Sequence, residues 1–151
     1  MNITQLLKPE CIRVPLVATE RFAAIEELVD LLDQSGHLTD RNLVLESIIA
    51  RERTRSTGIG MGLAVPHGKS TGLQSLCMAV GKPAEPIEFD SIDAKPCVLI
   101  VLLASPVDKT GPHIQALAGI SRLWQTEAFR AAVDRARTVD DVIAAMTDRL
   151  G

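Results

Sequence analysis

Aromatic residues are scarce in this sequence of 151 residues, which holds three Phe, one Trp and no Tyr. Proteins that bind single-stranded nucleic acids stack bases on aromatic rings, and general nucleic-acid binders carry a strong positive charge. This chain has few rings and a formal net charge of −3. We therefore expect a mainly aliphatic core, no nucleic acid as a partner, and a protein or a small molecule as the ligand.

Cysteine is also scarce, and its three copies, Cys11, Cys77 and Cys97, lie among apolar residues. No C-x-x-C is present, and no pair of His or Cys residues has the spacing of a zinc site, so we expect no structural metal. The pattern is typical of buried free thiols in a protein from a reducing compartment.

Long apolar runs are missing as well. None approaches the ~20 residues that a helix needs to cross a membrane. The N-terminus, MNITQLLKPE, lacks the basic start and the apolar core of a signal peptide. We therefore expect a cytoplasmic protein with no direct membrane insertion.

What the sequence does contain is a concentration of glycine in residues 58–70, GIGMGLAVPHGKS. Glycine-rich loops often bind phosphates through backbone amides. The dinucleotide motif G-x-G-x-x-G does not fit, because Gly62 follows Gly60 one position too early. The P-loop motif G-x-x-x-x-G-K-[ST] does not fit either, because five residues, not four, separate Gly62 from Gly68.

Apolar periodicity predicts helices and strands along the rest of the chain. We predict helices from a cap at Thr19 to Gly36, from a cap at Thr39 to the basic residues 51–55, from Pro112 to Leu123, over 127–133, and from a cap at Thr138 onward. The predicted buried faces include Leu43 and Ile114. Strands are predicted at 11–15, near a sheet edge, at 76–80, and at 97–103, in the centre of a sheet.

Helix patterns on both sides of this block of strands predict a sheet covered by helices. The length suits one α/β domain over residues 1–151. The pattern does not determine the order of the strands.

His67 is the residue best placed for chemistry. Pro66 restrains the chain before it, and Gly68 lets the chain turn away after it, so that the imidazole is presented outward at the end of the apolar stretch 63–65. A neutral imidazole is a nucleophile that can accept a phosphoryl group and pass it on. From these residues alone, His67 is either such a nucleophile or a surface-turn histidine without a task.

A phosphoryl group needs a cation, and the helix before the glycines ends in Arg51, Arg53 and Arg55. Alternate residues of a helix end diverge, so we interpret Arg53 and Arg55 as a solvated face. His113 opens a helix whose free amides favour an anion, although taken alone it fits an exposed first-turn position. Lys69 is either a phosphate ligand or an ordinary exposed lysine.

Two further groupings are interpreted as structural. Residues 88–93 hold several carboxylates, and we interpret them as a solvated acidic turn around a buried Phe89 and a buried Ile92. Ser105 and Asp108 could complete a catalytic triad with His113 on paper only, since no G-x-S-x-G motif is present.

Several of these stretches together resemble a known family. Residues 51–52 (RE), 56–60 (STGIG) and 62–69 (GLAVPHGK) resemble the phosphohistidine segment of the mannitol/fructose-type enzyme IIA domains of the bacterial phosphotransferase system. Residues 86–93 (PIEFDSID) are similar to a later segment of the nitrogen-regulatory branch of that family. The order and spacing of these segments cover nearly the full chain.

The resemblance implies that His67 accepts a phosphoryl group from the histidine phosphocarrier HPr or its nitrogen-branch counterpart. It also implies that Arg51 and His113 line the same pocket and stabilise the phosphorylated state. Two positions depart from the family pattern: Pro112 stands before His113, and Thr54-Arg55 precedes the serine of STGIG. Arg55 is therefore an alternative bearer of the arginine role.

The resemblance further implies a mixed β-sheet flanked by helices on both faces, with no metal and no cofactor. The glycines would leave room for the partner's phosphohistidine to approach. The expected surroundings of the phosphoryl group are Ser56, Thr57, Gly68 and Lys69.

Two roles remain open for such a domain. As a nitrogen-type regulator, it would control target proteins such as sensor kinases or potassium transporters by its phosphorylation state. As a sugar-specific subunit, it would pass the phosphoryl group to a IIB partner. The sequence ends at Gly151 without a membrane domain, which we expect of the regulator. A third hypothesis, a small-molecule binding domain, would not use a phosphohistidine.

Overall fold

The apolar run near residue 100 forms the central strand of a sheet that helices cover. Within residues 3–150, which the computed structural model describes, five α-helices accompany six strands. The strands are β1 (Ile12–Leu16), β2 (Gly58–Gly60), β3 (Leu63–Ala64), β4 (His67–Ser70), β5 (Cys77–Pro83) and β6 (Leu99–Pro106). The helices are α1 (Arg21–Gln34), α2 (Arg41–Thr54), α3 (Thr110–Trp124), α4 (Glu127–Arg135) and α5 (Val139–Leu150).

The sheet is mixed, as expected. Its strand order is β1-β5-β6-β3-β2, and β4 pairs with the second half of β6. β5 runs antiparallel to β6, whereas β3 and β4 run parallel to it, and β1 runs parallel to β5. β1, which contains a proline, lies at the edge of the sheet, as predicted.

β6 begins two residues later than predicted and continues three residues further, to Pro106. The predicted strand stops at Leu103, just before Ala104 and the polar Ser105. The strand continues because β4 and β5 supply partners on both sides of Ala104. All eight residues of β6 are buried.

Alternate residues of β6 face opposite sides of the sheet and divide the core into two layers. One layer packs against α1 and α2 and includes Ile100, Leu102 and Ala104. The other packs against α3, α4 and α5 and includes Leu99, Val101 and Leu103. The prediction of helices on both faces is therefore confirmed.

The predicted caps of the first two helices are wrong by one residue. Glu20 caps α1 and Asp40 caps α2, in place of Thr19 and Thr39. Each carboxylate accepts hydrogen bonds from free backbone N–H groups in the first turn. A carboxylate does this as well as a hydroxyl, so cap preference does not choose between adjacent residues.

The predicted buried faces of α2 and α3 are also partly wrong. Leu43 is 43% exposed and Ile114 is 59% exposed, whereas the neighbouring positions Val44 and His113 are buried. Each helix packs on the sheet with its face rotated by about one residue. Tertiary packing sets this rotation, because both helices have apolar residues at adjacent positions.

The last helix and the cysteines agree with the predictions. Thr138 and Asp141 form reciprocal hydrogen bonds at the start of α5, with Asp141 N donating to Thr138 Oγ1 and Thr138 N donating to Asp141 Oδ2. Cys11, Cys77 and Cys97 are free and buried. In residues 3–150, no helix has the length and apolar character that crossing a membrane requires.

Candidate active site

His67 lies where the chain passes from one short strand to another along the same edge of β6. β3 ends opposite Ile100, and β4 begins with His67 opposite Leu103. Between the strands, the carbonyl of Pro66 accepts a hydrogen bond from the backbone N–H of Leu103. Because backbone pairing with a buried strand continues on both sides, the position of the imidazole is well defined.

The tautomer of His67 follows from one hydrogen bond. Nδ1 lies 2.7 Å from the carbonyl oxygen of Val65. A carbonyl oxygen only accepts, so Nδ1 carries the hydrogen. In the neutral ring, Nε2 then holds a free lone pair and can act as a nucleophile.

The surroundings of His67 keep its ring neutral. Burial lowers the pKa of His67 below its ordinary 6.5, and the positive charge of Arg51 lowers it further. The hydrogen bond to Val65 and the charge of Glu52 oppose this lowering. Since the net direction is downward, the imidazole at pH 7 is in the form that has a free lone pair.

A cleft of about 330 Å³ opens beside His67, and three of the residues predicted for the site line it with the imidazole. They are Arg51, Ser56 and Thr57. Arg55 lines the cleft too, and its carbonyl accepts a hydrogen bond of 2.9 Å from Arg51 Nη1. Arg53 lies elsewhere, with its guanidinium 5.7 Å from the centre of the Phe22 ring.

Ser56 and Thr57 use their hydroxyls to hold the loop that forms the wall of the cleft. Ser56 Oγ donates to the carbonyl of Phe89 and accepts from the backbone N–H of Gly58. Thr57 donates to the carboxylate of Glu52 through both its hydroxyl and its backbone N–H.

Glu52 is a residue of the site that the sequence interpretation missed. It is 2% exposed, and Arg21 Nη1 lies 3.6 Å from its carboxylate. The carboxylate therefore has charged and neutral donors in a buried position, which ties the end of α2 to the loop before β2. Its spacing from Thr57, five residues across a helix end, is not a recognised motif.

The glycines of residues 58–70 allow close packing and tight turns within the chain. The expectation that they leave room for a partner is wrong for Gly58 and Gly68, because other atoms of the chain lie where a side chain would be. A Cβ on Gly58 would lie 2.1 Å from Ser91 Oγ, and one on Gly68 would lie 2.6 Å from Ser47 Oγ. Gly60 and Gly62 have φ angles of 98° and 91° in the β2–β3 hairpin. Only a residue without a side chain adopts these angles readily.

His113 is buried, which corrects the interpretation of an exposed first-turn residue. It lies behind His67 and, unlike Arg51, is not among the residues that line the cleft. Its side chain is 3% exposed, and its ring centre lies 5.4 Å from that of His67. Nδ1 of His113 lies 2.7 Å from the hydroxyl of Ser105, a residue to which the sequence alone assigns no role. Burial and the nearby His67 and Lys69 lower the pKa of His113 from 6.5 to about 4.

Lys69 and Gly68 follow His67 on β4 but do not line the cleft that contains Arg51. Lys69 Nζ donates to Thr110 Oγ1 at 3.0 Å, at the start of α3. Gly68 lies against α2. Lys69 thus adds positive charge on the side of His113, and Gly68 allows β4 and α2 to pack closely.

Apolar side chains border the cleft on its outer side. Ile92 is 84% exposed, so the expectation that it is buried is wrong, whereas Phe89 is fully buried as expected. Ile59, which is 43% exposed, also lines the cleft. The imidazole of His67 therefore lies in a cleft that two arginines and exposed apolar side chains also line.

This arrangement suits the transfer of an anionic group to nitrogen. It combines a neutral imidazole with a free lone pair, a guanidinium in the same cleft, and a second buried imidazole in contact with the first. In the described part of the chain, no group of three or more His, Cys, Asp or Glu residues could hold a metal ion.

Relatives of two kinds are similar to this chain. The fructose-specific EIIA component of Haloferax volcanii is 31% identical over 97% of this chain and 97% of its own length. The nitrogen regulatory protein of Bradyrhizobium diazoefficiens is 34% identical, over 84% of this chain and 82% of its own length. The fructose-specific EIIABC component of Bacillus subtilis is 33% identical over 95% of this chain, which spans only 22% of that relative.

Solved structures share the fold. The nitrogen regulatory protein IIA-Ntr of Neisseria meningitidis superposes with a TM-score of 0.86 and 29% identity, covering 95% of this chain and 98% of that one. The IIA mannitol structure of Escherichia coli superposes with a TM-score of 0.79 over 93% of this chain and 98% of its own, and at 20% identity it shows the fold alone. A sequence model of a single family matches residues 5–148. The chain belongs to that family, the EIIA 2 domains of the phosphoenolpyruvate-dependent sugar phosphotransferase system.

Proposed function

We propose that this protein is a phosphohistidine carrier that accepts a phosphoryl group on Nε2 of His67 from an HPr-type phosphocarrier. The observation that carries the proposal is the hydrogen bond from His67 Nδ1 to the carbonyl of Val65. It holds the imidazole in the tautomer that has a free lone pair on Nε2, in a cleft that Arg51 also lines.

The transfer exchanges one phosphorus–nitrogen bond for another. Nε2 of His67 attacks the phosphorus of the donor's phosphohistidine, and the donor imidazole leaves with the electron pair of the broken bond. The phosphoryl oxygens keep their negative charge throughout. Arg51 stabilises that charge by charge-assisted hydrogen bonding, and the exposed apolar rim of the cleft, including Ile59 and Ile92, provides contact area for the donor protein.

The proposed role of the phosphorylated protein is regulation. Its charge state would control target proteins such as sensor kinases or potassium transporters, in the manner of the nitrogen-regulatory branch. The similarity to the Bradyrhizobium and Neisseria nitrogen regulatory proteins supports this role.

A sugar-transport role is the second candidate. The Haloferax fructose-specific EIIA component supports it, because that relative and this chain match over almost their full lengths. In this role, His67 would pass its phosphoryl group to a fructose-type IIB subunit.

Phosphotransfer from purified components tests the carrier proposal. With phosphoenolpyruvate, enzyme I and HPr, we expect one acid-labile phosphate for each wild-type molecule and none for His67→Ala. His37→Ala is the matched control, since His37 does not line the cleft, and it should be labelled like the wild type. Equal labelling of His67→Ala would refute the assignment of the acceptor.

The arginine role is tested by comparing two variants. Arg51→Ala should slow phosphoryl transfer roughly 10- to 100-fold, the range expected for losing one charge-assisted hydrogen bond in a partly exposed site. Arg55→Ala should have a smaller effect, because the charge of Arg51 is the one that acts on the pKa of His67. A larger loss in Arg55→Ala would transfer the role to Arg55.

The two candidate roles are separated by a chase experiment. Protein labelled on His67 is mixed with a fructose-type IIB subunit, and the loss of label is followed in time. Rapid transfer to the IIB subunit would favour the transport role. Retention of the label, together with binding of a target protein to only one charge state in a pull-down, is the result expected for the regulator.

A further inference from the structure

Ser105 and His113 form a buried pair beside the proposed phosphoryl acceptor, and the ring centre of His113 lies 5.4 Å from that of His67. Ser105 is fully buried on β6, and its hydroxyl oxygen lies 2.7 Å from Nδ1 of His113. Alternation along β6 places Ser105 on the same side as Val101 and Leu103, which is the side covered by α3. His113 lies in the first turn of that helix and is 3% exposed.

The direction of this hydrogen bond sets the tautomer of His113. If the hydroxyl donates, Nδ1 accepts and the ring hydrogen is on Nε2. If Nδ1 donates instead, the hydroxyl needs a separate acceptor, and residues 3–150 supply it with no partner other than His113. A buried hydroxyl without an acceptor is destabilised, so donation by Ser105 is the favoured arrangement.

The neutral state of His113 is what makes the tautomer matter. A protonated ring would have hydrogen on both nitrogens whatever Ser105 does. Burial, together with His67 and Lys69, lowers the pKa of His113 to about 4, so at pH 7 the ring is neutral and carries one hydrogen. The position of that hydrogen then depends on the partner of Nδ1.

We propose that Ser105 is a positioning residue, which donates its hydroxyl hydrogen to Nδ1 of His113 and so keeps Nε2 of that ring as a hydrogen-bond donor for the phosphoryl group on His67. The two adjacent imidazoles then have opposite tautomers. His67 keeps a lone pair on Nε2 for phosphorus, and His113 keeps a hydrogen on Nε2 for a phosphoryl oxygen. The role of Ser105 rests on the proposed carrier function.

The opposite tautomer of His113 would work against the same chemistry. A lone pair on Nε2 would repel the negative phosphoryl oxygens, whereas an N–H group stabilises them. Ser105 itself is fully buried and does not touch the donor protein. Its loss should therefore lower the maximal rate of phosphoryl transfer and leave the Michaelis constant for phosphorylated HPr unchanged.

Nitrogen NMR of the ring provides a direct readout. Two-bond correlations between ring hydrogens and ¹⁵N distinguish the two neutral tautomers, and the measurement needs no phosphoryl donor. In the wild-type protein at pH 7, we expect His113 to have its hydrogen on Nε2. In Ser105→Ala, we expect a mixture of tautomers and a maximal rate reduced about 3- to 10-fold, the range for one lost neutral hydrogen bond.

Ser70→Ala is the matched control. Ser70 is also a buried serine of the sheet, and it pairs with Pro106 of β6. Its hydroxyl accepts a hydrogen bond from the backbone N–H of Gly72. This variant should keep both the wild-type tautomer of His113 and the wild-type rate. Ser105→Thr, which retains the hydroxyl, should restore the Nε2–H tautomer.

The proposal is overturned if wild-type His113 carries its hydrogen on Nδ1, a measurement that stands even if Ser105→Ala does not fold. It is also overturned if Ser105→Ala changes neither the tautomer nor the maximal rate, or only one of them. Failure of the wild-type protein to accept any phosphoryl group would refute the carrier function, whereas the tautomer would still test the Ser105–His113 hydrogen bond.

Discussion

The buried imidazole of His113 should lower the free energy of unfolding in mild acid. The pKa of His113 is lowered from 6.5 to about 4 in the folded protein, because its side chain is buried beside His67 and Lys69. In the unfolded chain, the ring regains its ordinary pKa. Above pH 6.5, the ring is neutral in both states and has no effect on stability.

Below pH 6.5, the unfolded chain binds a proton at His113 that the folded protein does not bind until about pH 4. Acid therefore favours unfolding over this interval. Each pKa unit corresponds to about 1.4 kcal/mol, so the full loss is about 3 kcal/mol. This is a large share of the roughly 5–15 kcal/mol by which domains of this size are stable.

Urea unfolding followed by circular dichroism between pH 7.5 and pH 4 measures the effect. Many carboxylates also titrate in this range, so the informative quantity is the difference between the wild type and His113→Gln, which has no ionisable group at this position. We expect the wild type to lose about 3 kcal/mol more than the variant on going to pH 4. Parallel stability curves would show that the buried ring is not held neutral, and would refute the reasoning.

Three further predictions concern the fold around the cleft. Glu52→Ala should destabilise the protein by roughly 2–4 kcal/mol in urea unfolding, because it removes a buried acceptor of two hydrogen bonds. Glu46→Ala, on the exposed face of α2, should change stability by less than about 0.5 kcal/mol. Equal effects of the two substitutions would contradict the role of Glu52. Gly68→Ala should lower the free energy of unfolding by about 1–3 kcal/mol, since its Cβ would lie 2.6 Å from a side-chain oxygen and 3.1 Å from the backbone of α2. Gly111→Ala, with open space around its Cβ, should be neutral or stabilising by up to about 1 kcal/mol. If Gly68→Ala were well tolerated, α2 would have to move freely. Thr138→Ala should lower the free energy of unfolding by about 1 kcal/mol, because it removes the cap of α5. The same unfolding assay measures this change. An unchanged stability would show that the reciprocal hydrogen bonds contribute nothing.

Local patterns predicted most of the helices and strands because each depends on neighbouring residues. The apolar run at 97–103 indicated the central strand, and the Thr138–Asp141 pair indicated the start of α5. Caps were misplaced by one residue at Glu20 and Asp40, since adjacent polar side chains can satisfy the same backbone groups. The rotation of α2 and α3 was not predictable, because it depends on which residues the sheet presents to them.

The residues of the candidate site also divide into those with a local signal in the sequence and those that only tertiary packing reveals. The proline and glycine around His67 and the arginines at the end of α2 are local signals, so these positions could be predicted from the sequence. The role of Glu52 has no local signal in the sequence. Its contacts with Thr57 and Arg21 exist only when the loop after α2 and the start of α1 lie beside its carboxylate. The side of the sheet on which Ser105 lies could be predicted, because counting alternate residues along β6 from Leu103 places it on the side of α3.

For residues 3–150, periodicity predicts the five helices and three of the six strands. Composition predicts the aliphatic core, and the chemistry of a histidine between proline and glycine indicates the residue proposed as nucleophile. Only the folded arrangement sets the tautomer and the protonation of the two imidazoles. The Val65 carbonyl selects the tautomer of His67, and burial keeps His113 neutral beside it. Both effects come from contacts and desolvation that exist only once distant segments pack together.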